Sequence, residues 1–128
     1  MRQSFAILAA ALALSGVSAP AAAQDWALRE TDARFAGPES VAQAVAGQTL
    51  TFYDDGQSRF SVGGAYSYTY SEANGGGSQF GTWEARDEGI ICIAYRNGFS
   101  RCDMYVEADG RIVVLTEEGG RYPVRPDG

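Results

Sequence analysis

Residues 90–107, IICIAYRNGFSRCDMYVE, carry the pattern that decides the fold. Apolar and aromatic residues flank a loop of two polar residues followed by glycine, at positions 96–98. This tripeptide suits a three-residue hairpin loop, because glycine adopts the positive φ that such a loop needs without steric cost. Tyr95 is then expected opposite Phe99, and the stretch is predicted to form an antiparallel hairpin.

The same count places Cys92 opposite Cys102, and these are the only two cysteines of the chain. In an exported protein a disulfide is the default state of such a pair. A redox-active pair is the alternative, but no Cys-x-x-Cys motif stands at a helix start, where a thiolate would be stabilised. We therefore predict a structural disulfide, which closes so short a loop that it contributes about 2–3 kcal/mol in the chain-entropy model.

The N-terminus has the three zones of a secretory signal: Arg2, an apolar run over residues 5–14, and small residues up to Ala23. Cleavage after Ala23 predicts a signal peptide at residues 1–23 and export to the periplasm or beyond. The apolar run is shorter than the roughly 20 residues of a membrane-spanning helix. We expect no membrane insertion after cleavage.

Four further tripeptides resemble the loop at 96–98, and short apolar runs separate them. This spacing predicts a mainly β protein, an antiparallel meander of seven or eight strands in a small barrel or sandwich, with closure favoured because it removes long free edges. A short helix is expected from residue 37 to Gly47, and residues 24–36 form an N-terminal arm before a single β domain at 37–128. The predicted strands are 48–53, 58–62, 65–71, 80–86, 90–95, 99–107, 111–116 and 120–124.

Charge and composition exclude several functions. All ten basic residues are arginines against sixteen acidic residues, and histidine is absent. Removing the signal leaves nine arginines and a net charge of −7, which argues against a nucleic-acid partner. Without histidine there is neither the usual general base nor the commonest metal ligand. We expect no catalytic residues, no metal and no cofactor.

One face of the predicted strands combines charges with aromatic residues. Arg101 and Asp103 fall on the same face as Trp83, Ile91, Ile93, Tyr95, Phe99 and Tyr105. The charges fit a polar anchor in a ligand pocket, since such pockets are mostly apolar with a few placed polar groups. A partly exposed ion pair, or a bulge that turns the strand over, explains them as well. The opposite face carries Met104, Val106, Ile112 and Val114, so the sequence does not decide which face is inside.

A row of tyrosines occupies a second strand. Tyr66, Tyr68 and Tyr70 share one face, and small serine and threonine residues share the other. The rings can line a core while their hydroxyl groups reach a wet rim. A platform that stacks on a sugar or a protein has the same sequence pattern, so Tyr66, Tyr68 and Tyr70 join Trp83, Tyr95, Arg101 and Asp103 as candidate ligand-binding residues.

The order of motifs resembles that of a group of small exported bacterial proteins with a domain of unknown function. The resemblance rests on the Gly-Gln-Thr-Leu stretch at 47–50, on Gly-Thr-Trp at 81–83, and on Cys92 and Cys102. It spans roughly residues 38 to 116. It implies a periplasmic β-rich fold with a structural disulfide and brings no activity with it.

Two functions remain open. The first is a non-enzymatic binding module for a small ligand, a glycan or an envelope protein. The second is an inhibitor of a secreted hydrolase, such as a protease or lysozyme, that presents the tip of the disulfide hairpin. An enzyme is the least favoured class, because no pair of nucleophile and base can be named.

Overall fold

The computed structural model describes residues 25–126, which form nine strands, one α-helix and two short 3-10 turns. The helix α1 spans Pro38–Val45, and the 3-10 turns span Glu72–Asn74 and Asp87–Gly89. The strands are β1 (Ala33–Arg34), β2 (Thr49–Thr51), β3 (Gln57–Phe60), β4 (Ala65–Thr69), β5 (Ser78–Ala85), β6 (Ile90–Tyr95), β7 (Ser100–Ala108), β8 (Arg111–Leu115) and β9 (Arg121–Pro123).

The sheet is the predicted antiparallel meander, because strands β2 to β9 pair in chain order. It curls into a half-barrel whose two ends meet at one corner. There, Phe52 and Val124 form an isolated bridge, and the Arg125 N–H donates to the Thr51 carbonyl at 2.8 Å. The predicted mainly β class with one short helix is confirmed.

The predicted signal peptide, residues 1–23, lies outside the described residues. Within residues 25–126, no helix has both the length and the apolar character needed to cross a bilayer.

The central hairpin has the predicted register. The Tyr95 N–H donates to the Phe99 carbonyl at 2.8 Å, and Cys92 pairs with Cys102 and is joined to it by a disulfide. The β6–β7 and β7–β8 pairs keep one register over their whole length. No bulge therefore turns β7 over between its first residue and its last.

The five loops do not share one geometry, contrary to the expectation from sequence. Gly98 and Gly119 have the predicted positive φ of 92° and 99°. At 54–56 the positive φ falls on Asp55 (70°), where a short polar side chain tolerates it. At 108–110 both Asp109 and Gly110 have positive φ, as a two-residue hairpin loop requires.

The concave face of the sheet holds the main core. Phe60 and Ile91 are fully buried there, together with Val41 and Val45 of α1. The helix begins with proline in its first turn, which costs no hydrogen bond, and it packs against β5, β6 and the turn at 87–89. The helix thus fills one end of the half-barrel.

The convex face is covered by the N-terminal arm, which makes a second core. Met104, Val106, Val113 and Leu115 are buried on that face, and Trp26 of the arm packs against them. The strand β1 pairs with the second half of β7, alongside residues 106 and 107. Residues 103–106 of β7 are therefore buried, whichever face their side chains point to.

An ion pair fixes the arm to the last strand. The Arg121 guanidinium donates to both carboxylate oxygens of Asp32, at 2.8 and 3.1 Å, and to the Ala27 carbonyl at 2.8 Å. The side chain of Asp32 is completely buried, and it also accepts the Arg29 N–H at 2.8 Å. Within the described residues, the arm is an integral layer of the domain.

Candidate functional site

Strand alternation places the tyrosines of β4 and β6 inside the curl. Tyr66 pairs with Gly81 on β5, and Gly81 pairs with Tyr95 on β6. Because position 81 carries no side chain, the rings of Tyr66 and Tyr95 approach each other across β5, with centroids 5.9 Å apart and planes at 78°. A Cβ at position 81 would collide with the Ala94 carbonyl oxygen. The glycine of the Gly-Thr-Trp stretch thus permits an aromatic contact that spans three strands.

Tyr66 is the fixed member of this aromatic group. Its ring packs edge-on against Phe60, with centroids 5.1 Å apart, and only 4% of the residue is exposed. Its hydroxyl group lies 2.8 Å from the Ser58 hydroxyl, so the polar tip is satisfied inside the protein. Along β4 the row then becomes more exposed, through half-buried Tyr68 to exposed Tyr70.

Beyond these residues the half-barrel opens into a cavity of about 1030 Å³, which we call the tyrosine cup. It is open to solvent on one side, and its size is at the upper end of the roughly 300–1,000 Å³ of small-molecule pockets. Phe52, Ile93 and Val114 supply apolar surface. All seven tyrosines of the chain line this one cavity: Tyr53, Tyr66, Tyr68, Tyr70, Tyr95, Tyr105 and Tyr122.

The structure brings six of the seven candidate ligand-binding residues into the tyrosine cup: Tyr66, Tyr68, Tyr70, Tyr95, Arg101 and Asp103. Trp83 is placed elsewhere. Its indole N–H donates to the Ser61 carbonyl at 2.8 Å, and its ring meets Phe60 edge-on, with centroids 5.5 Å apart. Trp83 therefore packs beside the core and does not line the cup.

Arg101 and Asp103 form an ion pair in the wall of the cup. They lie two residues apart on β7, and the guanidinium donates from Nε and Nη2 to the two carboxylate oxygens at 2.9 and 2.8 Å. Burial raises the pKa of Asp103, while the hydrogen bonds from Arg101 oppose that rise. The same hydrogen bonds raise the pKa of Arg101, which stays charged. The pair is both a partly exposed ion pair and a part of the cavity wall.

Two further carboxylates stand at the rim. Asp54 lies in the turn between β2 and β3, and Glu118 lies in the turn between β8 and β9. Neither forms an ion pair with a residue in the range 25–126. Since Arg101 is balanced by Asp103, these two carboxylates give the lining of the cup a net charge of about −2 at neutral pH.

Burial keeps four phenol groups of the cup protonated at neutral pH. Burial raises the pKa of Tyr66, Tyr68, Tyr95 and Tyr105, because a phenolate loses hydration inside the half-barrel. The cup therefore presents neutral hydroxyl groups, which can donate or accept hydrogen bonds, and electron-rich ring faces.

Sequence reasoning missed Asp54 and Glu118, which were not among the seven candidate ligand-binding residues. A signal was present, because alternate turns of an up-and-down meander lie at the same end of the sheet. The turns at 54–56, 96–98 and 117–119 and the loop at 71–77 are such alternate connections. The Asn74 amide lies 3.4 Å from the Asp54 carboxylate, which confirms that two of these connections meet.

Comparison of the chain with protein families, with curated proteins and with solved structures found no match. The resemblance to small exported bacterial proteins stays a prediction, and the function has to be argued from the cup. Among residues 25–126, no group of three or more cysteine, aspartate or glutamate side chains is placed to hold a metal ion.

Proposed function

We propose that this protein is an exported, non-enzymatic binding module that takes a small ligand into the tyrosine cup. The observation that carries the proposal is the placement of all seven tyrosines around one open cavity. Tyrosine gives a large contact area at a low cost in side-chain entropy, and its hydroxyl group adds directional hydrogen bonds. Such a lining suits a ligand that has flat or apolar surface and a few polar groups.

The arrangement of the cup supports binding over catalysis. Arg101 and Asp103 satisfy each other through two hydrogen bonds, and Tyr66 is bonded to Ser58. These contacts fix the wall in one shape before a ligand arrives, and preformed walls reduce the entropic cost of binding. No histidine, free cysteine or metal cluster among the described residues activates a nucleophile beside them.

A ligand-observed NMR screen of a mixed small-molecule library tests the proposal on the mature, oxidised protein. Tyr70→Ala removes an exposed ring from the cup, and Phe80→Ala removes an exposed ring that does not line it, so the two variants form a matched pair. We expect hits whose signals are lost with Tyr70→Ala and kept with Phe80→Ala. Hits that respond equally to both variants, or an absence of hits, would contradict the proposal.

A second function, inhibition of a secreted hydrolase, is favoured by the tip of the disulfide hairpin. Phe99 is 58% exposed and stacks on Tyr95, and the Asn97 side chain accepts the Phe99 N–H at 2.9 Å. A rigid loop with an exposed aromatic residue is a suitable insert for an active-site cleft. Inhibition of a panel of proteases and of lysozyme that is abolished by Phe99→Ala and kept by Tyr70→Ala would support this function over the first.

A further inference from the structure

The charge of the tyrosine cup selects the class of ligand. Resting on the proposed function, we infer that the cup binds organic cations, in particular compounds with a methylated or quaternary ammonium group. The inference depends on three features of the cup: a corner formed by the rings of Tyr68 and Tyr70 at the mouth, no protein cation over those two rings, and two carboxylates without an ion-pair partner among residues 25–126.

Tyr68 and Tyr70 form the corner. Their ring centroids are 5.0 Å apart and their planes meet at 77°. The edge of one ring contacts the face of the other, and the sides of the rings that stay open form a corner, as two walls of an aromatic cage do. Both residues line the cup, and Tyr70 stands at its exposed side.

These faces are not occupied by the protein's own cations. Among residues 25–126, two guanidinium groups lie over aromatic rings, Arg96 over Phe80 and Arg111 over Tyr53. Arg101, the one cation in the cup lining, is directed to Asp103 instead. The ring faces of Tyr68 and Tyr70 are therefore available to a cation from solution.

The carboxylates determine the sign of the ligand charge. Asp54 and Glu118 add two negative charges to the cup, and the Arg101–Asp103 pair adds none. An anionic ligand would be repelled by both groups, and a neutral sugar could donate hydrogen bonds to them but would gain no attraction between net charges. A cation gains from both carboxylates and from the ring faces, which attract positive charge through their quadrupoles.

The test compares choline with its uncharged analogue, in which a carbon atom replaces the ammonium nitrogen. The two have the same shape, so a difference in affinity measures the contribution of the charge. By calorimetry or NMR titration at low ionic strength, we expect choline to bind about tenfold more tightly than the analogue. Added salt should weaken choline binding, because the rim carboxylates are exposed to solvent.

Single charge-removing variants assign the effect to the rim. Asp54→Asn keeps an oxygen that can accept the Gly56 N–H, which Asp54 accepts at 2.8 Å, and Glu118→Gln changes an exposed side chain. Each should weaken choline about fivefold, the effect of one nearby charge in a water-rich site. Asp109→Asn is the matched control. It removes the same charge from a turn at the other end of the sheet and should leave choline binding unchanged.

The outcomes separate the inference from the proposed function. Equal affinity for choline and its analogue, or choline binding that ignores Asp54→Asn and Glu118→Gln, overturns the inference. A different outcome is that choline fails to bind while uncharged methyl glycosides bind and lose their affinity in Tyr70→Ala. In that case the ligand class is wrong and the tyrosine cup remains a binding site. If no compound of any class binds in a way that depends on Tyr70, both fail.

Discussion

Replacing Asp32 by asparagine removes the charge that holds the N-terminal arm on the convex face. The change leaves the guanidinium of Arg121, whose side chain is only 14% exposed, without its counter-ion. Breaking a buried pair from one side costs about 3–5 kcal/mol, because the remaining charge stays desolvated. The Ala27 carbonyl still accepts one hydrogen bond from Arg121, so we expect a loss near the lower limit, about 3 kcal/mol.

The assay is urea or thermal unfolding of the oxidised protein without the predicted signal peptide. For a domain of this size, about 3 kcal/mol corresponds to a fall in Tm of roughly 12–24 °C. The chain contains a matched control in Asp55→Asn, which breaks the ion pair of Asp55 with Arg125, 2.6 Å long but with side chains 68% and 37% exposed. An exposed pair contributes about 0–1 kcal/mol, so this variant should unfold almost as the wild type does.

Limited proteolysis adds a local readout. If the ion pair fixes the arm, trypsin should cut after Arg29 and Arg34 faster in the Asp32→Asn variant than in the Asp55→Asn variant. Equal unfolding free energies for the two variants, together with equal rates of cleavage in the arm, would refute the assignment of Asp32 and Arg121 as the contact that fixes it.

Three further predictions concern the same domain. Replacing both Cys92 and Cys102 by alanine should lower the unfolding free energy by about 2–3 kcal/mol, and a reductant should lower the stability of the wild type but not that of the variant. An unfolding midpoint that is the same in the wild type and the variant would show that the disulfide does not stabilise the domain. Gly81→Ala should destabilise by at least about 2 kcal/mol through the collision with the Ala94 carbonyl, while Gly63→Ala, which has open space around its Cβ, should cost about 0.5 kcal/mol or less; similar costs at both sites would count against the close approach at Gly81. Because Arg121 lowers the pKa of Asp32 in the folded state, the ion pair stabilises the domain fully above the unfolded pKa of about 3.8, and this stabilisation is lost as pH falls through the lower folded value. The difference in unfolding free energy between the wild type and Asp32→Asn should therefore shrink in acid. A difference that grew in acid would contradict the prediction.

The strand order and the central register could be predicted from sequence because the loops are short. A three-residue loop at 96–98 leaves one possible partner for each residue of β6, so Cys92 had to face Cys102. The meander followed from repeated turns, since a two- or three-residue connection can join only antiparallel neighbours. Which residue of each loop takes positive φ was less predictable. Aspartate can also adopt that conformation, at a modest cost, and Asp55 and Asp109 do so here.

The inner face of the sheet could not be predicted because the inward side of β7 carries the charges of Arg101 and Asp103, while its outward side carries apolar residues. Tyr105 belongs to the concave core, while Met104 and Val106 belong to the convex core. Alternation identifies the inside only when the solvent-facing side is the polar one, and here the arm buries the apolar outward side while the charges face the cup. The sequence of residues 25–35 has no pattern that predicts a two-residue strand. The position of the arm on the convex face could therefore not be predicted from sequence.

The arm has a consequence for the tyrosine cup at the opposite side of the sheet. A small domain has one limited supply of apolar surface to bury, and a half-barrel would ordinarily use its concave side for that purpose. Here α1 fills one end of the curl, and the contact of Trp26 with β7 and β8 moves further burial to the convex side. The other end of the concave side can then stay open, because the domain does not need the apolar surface there to be buried. On this argument, loosening the arm through Asp32 should destabilise the domain first and reach the ligand only through unfolding, whereas changes at Asp54 or Tyr70 should alter binding and leave stability nearly unchanged.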